Sequence, residues 1–261
     1  MNAKPYPTDL TDAEGDLLKD LIPPPQPGGC HRALEMRAVV HAIFYVVDGG
    51  IPWRMLPHEY PQWPRVYWYC RPWRDSGDWQ RLHDTRRAYV RQQAGRHTHP
   101  TAGCLDSQSV KTTARGGERG DDTGKNVQGR TRHGLVDPLG LLLAVSVTAA
   151  AVSDPAGARL LFARLGGACK KRRRIWGDGA SRGQLVDWGS QPLRFVLRGT
   201  LRPEGAKGFG LRPRRWVVER TLGWLKQSRR LRQDDERLPQ SREAMIDLSM
   251  TRLRLRRLTA T

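Results

Sequence analysis

The chain has few acidic residues for its number of basic ones. It contains 26 Asp and Glu against 45 Lys and Arg in 261 residues, which gives a formal net charge of +19 and a pI near 10.8. Such an excess of positive charge attracts polyanions over a long range, and nucleic acid is the first candidate. A basic surface that serves only solubility is the simpler interpretation of the composition alone.

Cysteine is scarce, and no two cysteines are close in the sequence. The four lie at Cys30, Cys70, Cys104 and Cys169, without a Cys-x-x-Cys pair. This spacing predicts reduced thiols in a cytosolic protein rather than a disulfide framework. His97 and His99 lie near Cys104, but no second pair of ligands is spaced to close a tetrahedral site, so we do not expect zinc.

Long apolar runs are absent from the sequence. The most apolar stretch, residues 139–152, contains Ser146 and Thr148 and falls short of the roughly 20 residues that cross a membrane. The first residues are polar and acidic, which predicts no signal peptide. We therefore expect a cytoplasmic protein without a membrane span.

Helical periodicity dominates the first third of the chain. Helices are predicted over 8–22, 34–48 and 78–93, and a helix from Pro64 to Trp73 would form part of a helix-turn-helix-like unit. Five tryptophans between Pro52 and Trp79 alternate with arginines. We predict that the tryptophans are mainly structural, because each buries a large area, and that the arginines are the better candidates for DNA contacts. A small all-α N-terminal domain over 1–95 is expected.

From residue 101 the pattern changes to that of strands. Strands are predicted at 101–105, 132–136, 141–147, 175–177 and 193–197. Helices are expected between the later strands and after the last one, and the Gly-rich segment 115–129 is expected to be mobile or ordered by a ligand. The order β, β, β, α, β, α, β, α predicts an α/β domain over 96–261, a ribonuclease-H-like mixed sheet flanked by helices.

Three carboxylates occupy positions that such a sheet would bring close together. Asp106 and Asp178 follow the first and fourth strands, which are neighbours in this type of sheet, and Glu219 lies on a helix between Arg215 and Lys226. Three carboxylates can hold two divalent cations about 4 Å apart, and oxygen ligands favour Mg²⁺. Each alone has a simpler explanation, as a turn residue or a surface ion pair. Only their joint placement indicates a site.

Several long motifs resemble the DDE transposases of bacterial insertion sequences, in particular the insertion-sequence-five group. They are Asp106-Ser-Gln-Ser-Val-Lys111, Gly129-Arg-Thr-Arg-His133, Leu135-Val-Asp-Pro-Leu-Gly-Leu-Leu-Leu143 and Pro213-Arg-Arg-Trp-Val-Val-Glu-Arg-Thr221. Arg215, Glu219 and Lys226 fit the Arg-x₃-Glu-x₆-Lys part of the family signature. Residues 10–21 and Trp53-Arg-Met-Leu-Pro57 are similar to the N-terminal helical region of the group, so the resemblance covers nearly the whole chain.

The resemblance implies both a function and a site. A transposase of this kind would bind the terminal inverted repeats of its element, cleave the DNA and transfer the strands to target DNA, as a homodimer or larger assembly at the bacterial nucleoid. Asp106, Asp178 and Glu219 would be the catalytic and metal-binding residues, with two Mg²⁺ ions that Mn²⁺ can replace. DNA contacts are expected at these basic residues: Lys111, Arg130, Arg132, Lys170, Lys171, Arg172, Arg215 and Lys226.

Two positions depart from the family pattern. Arg212 stands where the wider signature has a tyrosine, and Ser181 stands where the group has the aromatic residue of Gly-Gly-Tyr. These departures leave two alternatives open. One is a nuclease of the same fold that only hydrolyses DNA, and the other is a DNA-binding protein without catalysis, derived from a decayed element.

Overall fold

The structure is a computed structural model that describes residues 6–25, 32, 34–113, 116–165, 173–177, 195–199 and 215–260. At residues 173, 195–199 and 215 only the backbone is described. The helices are α1 (Asp12–Lys19), α2 (Met36–Gly49), α3 (Trp63–Asp75), α4 (Asp78–Gln93), α5 (Asp154–Arg164), α6 (Arg215–Leu225) and α7 (Pro239–Thr259). The strands are β1 (Ala102–Lys111), β2 (Gly120–Asp122), β3 (Val127–Val136), β4 (Leu142–Ala149), β5 (Arg173–Gly177) and β6 (Phe195–Gly199).

The four N-terminal helices confirm the predicted helical region. Thr11 caps α1 through a capping box with Glu14, which satisfies two backbone N–H groups at the start of the helix. Helix α2 ends at Gly50, whose φ of +69° is the left-handed conformation that glycine adopts most easily. Predicted and observed helices differ mainly at their ends. The helix expected from Ser181 lies outside the described residues.

The strands form one mixed sheet. Strand β3 lies between β1 and β4 and pairs with both in antiparallel register, and β2 extends the pairing at the start of β3. On the other side β1 pairs with β5 and β5 with β6, both in parallel. The expectation that the strand before Asp178 lies beside the strand of Asp106 is confirmed by the pairing of β1 with β5.

Strand β1 is longer than predicted, and this changes the position of Asp106. The expected strand ended before Asp106, whereas β1 spans 10 residues and has Asp106 in its middle. The reason is the continuous pairing with β3, which holds the polar residues after Asp106 in the sheet as far as Lys111 opposite Gly129. The Gly-rich segment 115–129, expected to be mobile or ordered by a ligand, contains β2 and the start of β3.

Two hydrophobic cores cover the two sides of the sheet. The smaller one packs α5 against residues such as Leu105 and Leu135. The larger one joins the N-terminal helices, α6 and α7 to the other side of the sheet, and it includes both Phe44 of α2 and Val136 of β3. The predicted boundary between 95 and 96 falls in the segment after α4, and this core is continuous across it. In the described part of the chain, no helix is long and apolar enough to cross a membrane.

Candidate active site

Asp106 points to the side of the sheet that carries α6. It is half-buried in β1 and pairs with Gly134 of β3, and residues paired in this way project their side chains from the same face. A Cβ atom placed on Gly134 would lie 3.4 Å from Cδ2 of Leu222 in α6. The face that carries Asp106 is therefore the face on which α6 packs.

Glu219 lies on α6 at the border of this contact. Helix α6 buries Val217, Val218, Leu222 and Leu225 against the rest of the protein, while Glu219 is exposed. Glu219 is three residues before Leu222, a spacing that places two side chains on the same part of a helix surface. The helix thus presents Glu219 one turn away from the residue that lies over Gly134, the partner of Asp106.

Asp178 lies outside the described residues, but the strand that leads to it does not. Strand β5 ends at Gly177, and its residue Trp176 pairs with Cys104 of β1 in parallel register. In the sequence, Asp106 follows Cys104 by two residues and Asp178 follows Trp176 by two. Within the described part of the chain no three His, Cys, Asp or Glu side chains form a metal-binding group, and only two of the three predicted ligands belong to that part.

A buried turn holds α6 in place. The Oγ1 of Thr221 donates to the carbonyl oxygen of Gly140 at 2.8 Å, in the turn between β3 and β4. Gly140 has φ of +80°, and a Cβ atom there would lie 2.8 Å from the guanidinium of Arg220. The Arg220 side chain can move away from such an atom, so it is the left-handed backbone that favours glycine at this position.

Asp137 fixes the same turn. Its Oδ1 accepts the N–H groups of Leu139 at 2.9 Å and Leu141 at 2.8 Å. The other carboxylate oxygen pairs with the guanidinium of Arg91 in α4, and both side chains are buried. A chain of polar contacts therefore runs from α4 through the turn to α6, which carries Glu219.

Two of the predicted DNA-binding lysines, Lys111 and Lys226, are found at the surface. Lys111 is exposed at the end of β1, and Lys226 is exposed directly after α6. Lys111 is thus the last residue of the strand that carries Asp106, and Lys226 is the first residue after the helix that carries Glu219. Arg215 begins α6, but its side chain lies outside the described residues, as do Lys170, Lys171 and Arg172.

Arg130 and Arg132 are not at the surface, and their predicted role is corrected. Both side chains are fully buried. Arg130 donates to the backbone carbonyls of Glu118 and Glu236 at 2.8 and 2.7 Å, and Arg132 donates to that of Leu231 at 2.5 Å. They tie β3 to the segment between α6 and α7, so neither guanidinium is available to a DNA phosphate.

A buried acid that the sequence did not single out completes this network. Asp234 is fully buried, with its Oδ2 at 3.4 Å from Arg130 and 3.7 Å from Arg242. Its backbone N–H donates to the carbonyl of Lys111 at 2.9 Å. Burial lowers the pKa of Arg132 well below its usual value, with the nearby Arg242 as the second cause. Asp234 lies in a strongly charged stretch that has the composition of a surface loop, so no sequence signal marked it.

His133 belongs to the opposite side of the sheet from Asp106. It is buried beneath α5, where its Nε2 lies 3.0 Å from Oγ1 of Thr148, and a Cβ on Gly157 would overlap its ring. Burial lowers the pKa of His133 to about 4, so the ring is neutral near pH 7. Its contacts are structural.

Comparison with known proteins gives consistent results over both parts of the chain. Residues 97–252, more than half of the sequence, match the family model described as "Transposase DDE domain". Residues 10–83 match the one described as "Putative transposase of IS4/5 family". The "Insertion element IS402 uncharacterized 16.2 kDa protein" of Burkholderia cepacia is 29% identical over 128 residues, which are 45% of this chain and 81% of that protein. No solved structure matches the chain.

Proposed function

Because the chain belongs to the family of transposases with a DDE domain, of the IS4/5 type, we propose that it moves an insertion sequence. It binds the terminal inverted repeats of the element, cleaves the DNA at the ends and joins them to target DNA by transesterification. The DDE domain implies an enzyme of DNA transposition, and the high net charge of +19 suits a protein whose substrate is a polyanion.

The catalytic domain has a ribonuclease-H-like fold in this proposal. With the short β2 set aside, the strands lie in the order β4, β3, β1, β5, β6. The first three are antiparallel and the last two run parallel to β1. This arrangement supports the fold expected from the sequence, because the strands leading to the first two carboxylates are neighbours.

One observation carries the proposal, and it is the register between β1 and β5. Parallel pairing places Cys104 beside Trp176, and each is followed two residues later by a candidate carboxylate. Continuation of the register would place Asp178 beside Asp106, on the face of the sheet where α6 brings Glu219. The carboxyl ends of parallel strands are also where ligand sites form in α/β sheets.

The three carboxylates fit a hard divalent cation. Asp106, Asp178 and Glu219 offer only oxygen atoms, which Mg²⁺ prefers over the nitrogen and sulfur ligands typical of zinc. Two bound Mg²⁺ or Mn²⁺ ions would activate the attacking water or 3′-hydroxyl and stabilise the leaving 3′-oxygen. The β1–β3 pairing holds the position of Asp106, and the docking of α6 on the turn at Gly140 holds that of Glu219.

Basic residues at the ends of the elements that carry the carboxylates would position the DNA backbone. Lys111 and Lys226 are exposed at the ends of the two elements that carry Asp106 and Glu219, and lysine contacts phosphate as a point charge. Arg215 and the run of Lys170, Lys171 and Arg172 are kept in the proposal as further phosphate contacts. Joining two ends requires two active sites, so the active form on double-stranded DNA would be a homodimer or larger, at the nucleoid.

The proposal is tested with labelled duplexes that carry the DNA flanking the gene. Wild-type protein with Mg²⁺ should cleave these duplexes and join them to a target. Asp106→Asn, Asp178→Asn and Glu219→Gln should each reduce product formation by about a hundredfold or more, since several kcal/mol of charge stabilisation is lost. Asp121→Asn, an exposed carboxylate on β2 of the same sheet, serves as the matched control and should keep full activity.

The products separate the alternatives. Joined strands support a transposase, whereas hydrolysed ends without joined strands would indicate a nuclease of the same fold. Salt-sensitive DNA binding with no product at any Mg²⁺ or Mn²⁺ concentration would indicate a non-catalytic DNA-binding protein. Full activity of the Asp178→Asn protein would contradict the proposed site.

A further inference from the structure

Helix α3 has one side in the protein core and one side in solvent. Val66, Cys70 and Trp73 recur at helical spacing and are buried. The Nε1 of Trp79 in α4 donates to the carbonyl of Cys70 at 3.2 Å, so α3 and α4 are fixed against each other. The inward side of the helix is therefore fully accounted for by packing.

The outward side of α3 carries a large aromatic residue that packing does not explain. Trp68 is 65% exposed, whereas Trp73 on the inward side is 6% exposed. The ring of Trp68 has a T-shaped contact with that of Tyr69, with 5.1 Å between the ring centroids. Exposed aromatic rings of this size are typical of interaction sites, because the apolar surface gains from being covered.

Arginines flank Trp68 on the same side of the helix. Arg65 is exposed and forms no ion pair with any residue that the structure describes. The side chain of Arg71 is 65% exposed, and its Nε lies 3.7 Å from the carboxylate of Asp75, a weak surface pair. Arg74 differs, since its side chain is 12% exposed and donates to Oγ of Ser241 at 2.7 Å.

We propose that Arg65, Trp68 and Arg71, the outward face of α3, enter the major groove of the transposon-end DNA and read its sequence. The inference rests on the proposed function, because it takes the DNA to be the end of the element. The major groove, about 12 Å wide, admits an α-helix. Arginine pairs with the guanine edge through two hydrogen bonds, and an apolar ring suits the methyl group of thymine.

The dimensions and charge of this face fit DNA. From Arg65 to Arg71 the helix rises by about 9 Å at 1.5 Å per residue, which spans about two to three base pairs at 3.4 Å per step. Trp68 lies three residues after Arg65 and three residues before Arg71, so the three side chains follow one another along one side of the helix. A protein partner with an acidic surface is the competing occupant, and the binding test below includes that outcome.

The test compares the affinity of the full-length protein for two duplexes without Mg²⁺. The first is the tightest-binding duplex among fragments tiled across the DNA flanking the gene, and the second has the same base composition in shuffled order. Arg65→Ala and Arg71→Ala should each lower the ratio of the two affinities by about 5- to 150-fold. Trp68→Ala should lower it too, and Trp68→Phe should restore most of the loss.

Arg81→Ala is the matched control. Its side chain is 69% exposed on the neighbouring helix α4 and is ion-paired with Asp78, as Arg71 is with Asp75. The affinity ratio should not change in this variant, and circular dichroism should show that every variant is folded as the wild type is. Outward side chains can be shortened without disturbing the core residues Val66, Cys70 and Trp73.

Several results would overturn the inference. One is an equal loss of affinity for both duplexes in the variants, which would indicate phosphate contacts only. Another is an affinity ratio that the substitutions leave unchanged. The third is a wild-type protein that binds both duplexes equally well. An unchanged ratio would leave an acidic protein surface as the occupant of this face. Mg²⁺-dependent cleavage is measured separately with wild-type protein. If wild-type protein cleaves the DNA but the α3 variants keep the wild-type affinity ratio, the inference about α3 is refuted and the proposed function stands. If the variants lose the ratio but wild-type protein does not cleave, the proposed catalysis is refuted and the inference about α3 stands.

Discussion

Replacing Asp137 should destabilise the protein strongly, because this carboxylate holds the turn on which α6 docks. Asp137 is fully buried. It accepts two backbone N–H groups within the turn and pairs with the buried guanidinium of Arg91. In the same turn, the hydrogen bond from Thr221 to the carbonyl oxygen of Gly140 fixes α6, the helix that carries Glu219.

The size of the effect follows from what an alanine would leave behind. Arg91, whose side chain is 7% exposed, would lose its counter-charge, and two backbone N–H groups would lose their acceptor. Removing one partner of a buried ion pair costs about 3–5 kcal/mol, a large part of the roughly 5–15 kcal/mol by which proteins are stable. Asp137→Asn keeps an oxygen for the backbone N–H groups but also removes the counter-charge of Arg91, so it should cost less than Asp137→Ala and still about 3 kcal/mol.

Urea unfolding followed by tryptophan fluorescence measures this difference. Asp75→Ala is the control, since this carboxylate is 53% exposed where it pairs with Arg71 and Arg74. Arg74 would keep its hydrogen bond to Ser241, so the change should cost at most about 1 kcal/mol. The unfolding midpoint should fall in the order wild type, Asp75→Ala, Asp137→Asn, Asp137→Ala. A midpoint of Asp137→Ala equal to that of Asp75→Ala would refute the reasoning.

Three further predictions concern other parts of the fold. Gly157→Ala should lower the melting temperature, because the added Cβ would overlap the ring of His133 where α5 crosses the sheet. Burial lowers the pKa of His83 to about 3 and that of His133 to about 4 from the usual value of 6.5. The unfolded chain therefore binds these protons first, and stability should be full above pH 6.5 and fall towards pH 4, by on the order of 3 kcal/mol per histidine. His133→Gln should reduce this pH dependence in urea unfolding, and an unchanged slope would contradict it. Lys111→Ala should lower the magnitude of the slope of log DNA affinity against log salt concentration by about 0.9. Arg132→Ala removes a buried side chain, so its main effect should be a lower midpoint of urea unfolding.

The sequence predicted the parts of the fold that local periodicity determines. Helices α2 and α4 and the hairpin of β3 and β4 follow from apolar spacing and turn residues, and the structure confirms them. The predicted neighbours β1 and β5 are also confirmed. Apolar patterns and turn chemistry depend on residues close in the chain, so they can be recognised without knowledge of the tertiary structure.

The features that could not be predicted from the sequence depend on contacts between residues far apart in the chain. The length of β1 is set by β3, so Asp106 lies within the strand rather than after it. Arg130 and Arg132 were expected among the DNA contacts, but carbonyl groups about a hundred residues later in the chain accept their hydrogen bonds in the protein interior. The exposure of Trp68, in contrast to the buried Trp73 and Trp79, likewise depends on which side of α3 meets the core.

The central claim is that Asp106, Asp178 and Glu219 share one pair of metal ions, and iron-induced cleavage of the polypeptide tests it most directly. Fe²⁺ is substituted for Mg²⁺, hydroxyl radicals are generated with ascorbate and peroxide, and the cut sites are mapped by mass spectrometry. The account predicts cuts near 106, 178 and 219 together, which excess Mg²⁺ suppresses and Asp106→Asn abolishes at all three segments. Cuts at only one of these segments, or at unrelated parts of the chain, would contradict it.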